Sequence, residues 1–188
     1  MFTIQPLTKE SLLKAQALAA KLFPWEDEHQ DALAAVVADS DSTGFLLARG
    51  LEQIRAWCLM ADNRVVGIAS LYEYRSAPDE VWLAWFGLSP EVRGLGLGGT
   101  LLDGVIALAR REHKSVLRLW TTDEEEYATA LKLYARRGFK PEIQTTLPGE
   151  NWETVVFSLA LKGGIVARPW RGTLSGAQLC GRVVPVAA

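Results

Sequence analysis

Residues 89–104 read SPEVRGLGLGGTLLDG, with glycines at 94, 96, 98 and 99 crowded directly ahead of a run with helical spacing. Glycine in a helix interior costs roughly 1 kcal/mol relative to alanine, so helix stability alone does not select this composition. Bare backbone can turn sharply, point successive N–H groups into one concavity and let a bulky anion touch main chain. The helix behind adds the positive end of its dipole. The competing reading is a glycine-tolerant helix start that holds no ligand. Under either reading, a strand leads into the turn and a helix leaves it.

The leading strand, EVWLAWFGLSP at residues 80–90, has an irregular period. Leu83 and Phe86 are three apart whereas Phe86 and Leu88 are two apart, so an alternation begun at one end is out of phase at the other. A β-bulge near Ala84 and Trp85 would absorb the slip and bend the strand beside the glycines. A strand buried on both faces, with no meaningful phase, is the alternative.

Upstream, FTIQPL reads as a short strand, and SLLKAQALAAKLF and EHQDALAAVVAD as two helices separated by Pro24 and Trp25. IRAWCLMA and VVGIASLYEYR read as strands joined at Asp62-Asn63-Arg64, and residues 80–90 complete a meander. After the glycines a helix runs to His113, with Leu97, Leu101, Val105 and Leu108 on one face. SVLRLWTT is a strand, EEYATALKLYARRG a helix ended by Gly138, and FKPEIQTTL and NWETVVFSLAL are closing strands around a Pro148-Gly149 turn. This order predicts an α/β (α+β) fold: a mixed, mostly antiparallel sheet of about seven strands with helices on both faces.

One domain with a real core is expected of 188 residues that are 49% apolar and 22% charged. The start MFTIQPLTKE lacks the basic end and apolar run of a signal peptide, and no apolar stretch has bilayer-spanning length, so a cytoplasmic protein is expected. Net charge is −2 but unevenly spread: residues 162–188 hold Lys162, Arg168, Arg171 and Arg182 with no acid, which leaves residues 1–161 at −6. An acidic body argues against a nucleic-acid partner and favours an amine-bearing one. The expected division is a folded domain over 1–161 and a basic, Gly-rich tail over 162–188, docked loosely or not at all. Cys58, in a strand-like run, reads as a core thiol. Together with Cys180, His29 and His113 it makes neither a disulfide framework nor a metal-ligand spacing, so no metal is expected.

The turn Arg93-Gly94-Leu95-Gly96-Leu97-Gly98, following Leu88-Ser89-Pro90, resembles the hallmark of the GNAT superfamily of N-acetyltransferases, a Gln/Arg-x-x-Gly-x-Gly/Ala turn between a bulged strand and a helix. A second segment, ALKLYARRGF at 130–139, matches the family at the spacing the family shows, and the element order over residues 1–161 is similar to the family's. The resemblance implies acetyl transfer from acetyl-CoA, as cosubstrate, to a primary amine of a small molecule or peptide by direct attack in a ternary complex. It also suggests a homodimer. The cofactor-binding residues it implies are Phe86, Gly87 and Leu88 on the splayed strand, Arg93, Gly94, Leu95, Gly96, Leu97, Gly98 and Gly99 at the pyrophosphate, and Tyr127 near the pantetheine. Tyr134 would face the sulfur. Where many relatives carry a basic carboxylate this chain has Trp82 and Thr122, so relays through water to Glu73, Glu80 or Asp123 are the alternatives for the general base.

Two other readings use the same residues. A module that binds acyl-CoA without turning it over would need no base. An NAD-binding oxidoreductase would use Gly94-x-Gly96-x-x-Gly99 with Asp123 as ribose acid, but a Ser-Pro-Glu-Val-Arg spacer and a preceding meander oppose it. Glu26, Asp27 and Glu28 after Trp25 are either a favourable helix start or an amine-attracting rim beside an aromatic wall.

Overall fold

The computed structural model describes residues 1–38, 42–143 and 152–170. A seven-stranded sheet is built from β1 (Phe2–Pro6), β2 (Leu51–Ala61), β3 (Arg64–Tyr74), β4 (Glu80–Leu88), β5 (Val116–Thr122), β6 (Lys140–Ile143) and β7 (Thr154–Ala160). Their order across the sheet is β1-β2-β3-β4-β5-β7-β6. β4 and β5 pair in parallel and every other neighbouring pair is antiparallel. The expected hairpin turns at Asp62 and Asn63, with Ala61 opposite Arg64. The expected turn at Pro148-Gly149 lies outside the described residues.

Among the described residues five α-helices flank the sheet: α1 (Lys9–Leu22), α2 (Glu28–Val37), α3 (Ser42–Ala48), α4 (Leu97–Arg111) and α5 (Ala128–Arg136). The helical spacing of Leu101, Val105 and Ala109 carries α4 onto one sheet face, where these side chains meet Leu71, Leu83 and Leu119. Ala15, Leu18 and Leu33 of α1 and α2 meet Ile68, Tyr72 and Ala84 on the other face. Two helices are expected before β2 and three are present. α3 has seven residues, contains Gly44 and buries none of its side chains, so it carries no amphipathic signal.

The strand slip is a bulge. Ile68 pairs with Gly87 and Ser70 with Ala84, so two residues of β3 span three of β4. Trp85 takes φ +42° there. The side chains of Ala84 and Trp85 both turn to the α1 face, while Leu83 and Phe86 turn to the α4 face. Cys58 is buried beside α1, and burial pushes its thiol up to about 11. That is the behaviour of a core thiol. Among the described residues no helix is long and apolar enough to cross a membrane.

Candidate functional site

The glycine turn is an open concavity at the end of β4. Gly94 and Gly96 have φ +79° and +77°, a conformation that glycine adopts without the penalty of a Cβ. A Cβ built on either would meet nothing within 4 Å. Space stands above both residues, and the N–H groups of the first turn of α4 have no intrahelical acceptor of their own. Arg93 ties the turn to the strand, its Nε donating to the Leu88 carbonyl at 3.1 Å. A Cβ on Gly99 would lie 2.3 Å from the Arg137 guanidinium, which pairs with Asp103 through two bonds of 3.0 Å. A cation therefore lies against the helix start. Open glycine backbone, a helix N-terminus and an adjacent guanidinium fit a diphosphate.

Beside this concavity the sheet opens. The parallel ladder joins Glu80–Leu83 of β4 to Val116–Leu119 of β5 and stops, although β4 continues to Leu88 and β5 to Thr122. The bulge bends β4 away, and a cleft of about 600 Å³ occupies the gap. Leu83, Phe86, Leu119 and Tyr134 line it from the α4 side, and Ala84, Trp85 and Trp120 from the α1 side, so the cleft passes through the plane of the sheet. Tyr134 is buried among rings, with Phe86 at 6.2 Å, Phe139 at 5.9 Å and Phe157 at 5.6 Å between centroids.

Three carboxylates line the cleft, and no Lys, Arg or His does among the described residues. Glu26 is half-buried, and the Trp85 indole N–H donates to its Oε1 at 2.6 Å. Glu124 is exposed and accepts the Thr122 hydroxyl at 2.8 Å. Glu126 is also exposed and hydrogen-bonds the Tyr127 side chain. Burial pushes the Tyr127 hydroxyl well above the usual phenol range, helped by Glu126 and by the charges of Glu124 and Glu26. Trp25 stands edge-on to Tyr127 at 6.5 Å and, with Trp152, completes an aromatic mouth.

The expected site residues divide between this cleft and other places. Tyr134, Phe86 and Tyr127 line it, Gly87 and Leu88 lead from it along β4, and Arg93 to Gly99 form the concavity. Glu73 does not line it. Its oxygens bind Arg55 and, at 2.6 Å, Lys114, at the end of the sheet opposite the glycines, because Tyr72 pairs with Trp82 near the start of β4. Glu80 is likewise taken, by Arg118. Asp123 faces across to β7 and accepts the Glu153 N–H at 2.8 Å, which pins the end of the β5–β7 ladder. Trp82 is buried between Tyr74 and Trp170. Of the acidic triplet, Glu26 meets the cleft, whereas Asp27 and Glu28 form the start of α2. Glu124 and Glu126 escaped the sequence reading because three successive glutamates look like an ordinary helix start.

Residues 12–139 match the Acetyltransferase (GNAT) family. The chain belongs to the GNAT family. Among solved structures it is similar to a GNAT-family protein from Desulfovibrio desulfuricans, with TM-score 0.68, 18% identity and coverage of 86% of this chain and 100% of that one. It is similar also to the ribosomal-protein-S18-alanine N-acetyltransferase of Escherichia coli, with TM-score 0.65, 19% identity and coverage of 89% and 100%. Arabidopsis thaliana NAA60 in complex with a bisubstrate analogue gives TM-score 0.64 at 15% identity, covering 85% and 98%. No curated protein sequence matches the chain. The GNAT fold is therefore shared, and GNAT enzymes as a family transfer acyl groups from acetyl-CoA to amines.

Proposed function

We propose that this protein transfers an acetyl group from acetyl-CoA to a primary amine by direct attack, with donor and acceptor held together and no covalent enzyme intermediate. The observation that carries this reading is the through-sheet cleft beside the open glycine turn. A donor anchored by its diphosphate on residues 94–99 can lay its thioester along the bulged end of β4, and an acceptor can meet it from the α1 side. The domain over residues 1–161 is the transferase unit in this reading.

Each side chain then has a task. Glu124 and Glu126 at the mouth draw in a cation, and Trp25 and Tyr127 give it aromatic faces. An alkylammonium near pKa ~10.4 is neutral only about once in 2,500 at pH 7, a penalty of roughly 4.6 kcal/mol. Glu26, half-buried and tied to the bulge through Trp85, takes that proton. The amine nitrogen bonds to the carbonyl carbon, the carbon–sulfur bond breaks, and the second proton that the nitrogen loses goes to the departing thiolate, which the Tyr134 hydroxyl steadies with a hydrogen bond. Backbone N–H groups left without a ladder partner at the bulge serve the carbonyl oxygen.

The test is an amine panel followed by thiol release, together with mass spectrometry of the purified protein for copurified CoA. Amine-dependent release of free thiol is expected. Bound CoA with no turnover on any amine would mark a binding module instead.

A further inference from the structure

The chain beyond β7 does not stay away from the body. Gly164, at φ +79°, turns it after Lys162, and residues 168–170 reach the α1 side of the sheet. On that face α1 lies over β3 and β4, and α2 over β2, which leaves β5, β7 and β6 to the returning segment. Three contacts hold it. The Arg168 carbonyl accepts Arg118 Nη2 at 3.0 Å, and the Trp170 N–H donates to Glu142 Oε2 at 2.7 Å while its ring stands edge-on to Trp82 at 5.5 Å.

Arg118 is built for this. It is 2% exposed, donates to both oxygens of Glu80 at 2.7 Å and to Ser158, and turns its remaining Nη2 capacity to the Arg168 carbonyl. A buried guanidinium must have its donors satisfied, so that carbonyl is part of the balance.

The cleft's lining ends at Trp120 on this side, and the registers place the segment's contacts about one strand repeat beyond it. Trp82 pairs with Arg118 and Arg118 with Ser158 in one row, and Trp120 pairs with Val156, itself opposite Glu142, in the next. Trp170 touches both rows, its ring on Trp82 and its N–H on Glu142, and Trp120 between them is a wall of the cleft. We propose that residues 168–170, latched by Arg118, stand behind Trp120 as the barrier that ends the acceptor side of the cleft and sets the length of amine it admits. The proposal rests on the acetyl-transfer reading. An acceptor that enters between Trp85 and Trp120 and extends along β5 meets Trp170 within about one strand repeat, roughly 7 Å. Compact amines fit, and long ones must leave by the mouth at Trp25.

The experiment is a homologous series of linear alkylamines, from ethylamine to decylamine, on the full chain and on Trp170→Ala and Trp170→Phe. Thiol release gives kcat and KM, and calorimetry on CoA-loaded protein gives amine Kd. The expected result is an affinity limit in chain length that Trp170→Ala moves outward by about two carbons, lowering KM for the longer amines roughly tenfold. Trp170→Phe should restore much of the limit, and acetyl-CoA affinity should stay within about twofold in both. An unchanged length profile in Trp170→Ala, whether or not its melting temperature falls, would overturn the barrier. Were no amine acetylated at all, the transfer reading would fall, and the calorimetric series alone would still decide whether Trp170 limits length.

Discussion

Tyr134 lines the cleft, and Phe86, Phe139 and Phe157 already fix its ring, so removal of its hydroxyl is a clean experiment. A phenol near pKa ~10 is a weaker acid than a thiol near ~8.5, and full proton transfer to the thiolate is uphill by about 2 kcal/mol. In the proposed reaction its help is partial, and Tyr134→Phe should lower kcat roughly 10- to 1,000-fold with acetyl-CoA affinity unchanged. Steady-state kinetics under conditions where chemistry limits turnover, paired with calorimetry, check this; full kcat would return the residue to the core. Glu26→Gln should cut kcat/KM for the amine by about tenfold or more and spare the affinity for acetyl-CoA, because the proposed reaction makes its carboxylate the base for the acceptor. Asp27→Asn with Glu28→Gln should lower only the melting temperature, since those two favour the start of α2. Cys58 gives a pH signature. Its thiol is pushed up from an ordinary 9.0 to about 11 by burial, so the native state keeps a proton that the unfolded chain gives up first. Stability is then present below the lower value and declines as pH rises through the window up to about 11. Urea titrations from pH 8 to 10.5 should show that slope in wild type and less of it in Cys58→Ala.

Among the elements, the bulge in β4 and the turn that follows act as one device: the bulge opens the sheet, and the turn supplies donors at the end of the opening. Gly96→Glu should weaken acetyl-CoA binding by about tenfold or more, because a side chain at φ +77° would stand in the open concavity and carry negative charge into it. Calorimetry on the folded variant checks it, and unchanged affinity would show that the diphosphate lies elsewhere. The device was legible in the sequence, since the slip between Leu83, Phe86 and Leu88 is a count that only a bulge or a two-faced strand allows. The carboxylates were not legible. Strand positions 82 and 122 lack them, and Glu26 comes from the connection between α1 and α2, a long-range approach with no local pattern. Glu73 and Asp123 looked available only because a sequence hides their partners, Lys114 in one case and the Glu153 N–H in the other. α3 was invisible for a different reason: seven residues without a buried side chain leave nothing for periodicity to register.

At the scale of the whole molecule, seven strands with helices on both faces followed from element order, but the docking of residues 168–170 did not. Its partner in the body, Arg118, lies 50 positions away and reads as one charge in an apolar strand. The sheet has a second long-range property. Four parallel residue pairs, Glu80–Leu83 with Val116–Leu119, are the seam between the β1–β4 meander and the β5–β7 group, and beyond them the two parts separate around the cleft. A seam so short is where the sheet should loosen first, as a zipper opens from the end already undone. Amide hydrogens of Trp120 and Thr122, which face the gap and not β7, should therefore exchange faster than those of the β2–β3 hairpin in the free protein. A donor lying across the gap would bridge both parts, and the same amides should slow by about tenfold or more when it is added. In this molecule the ligand would complete a stretch of sheet that the backbone leaves unpaired.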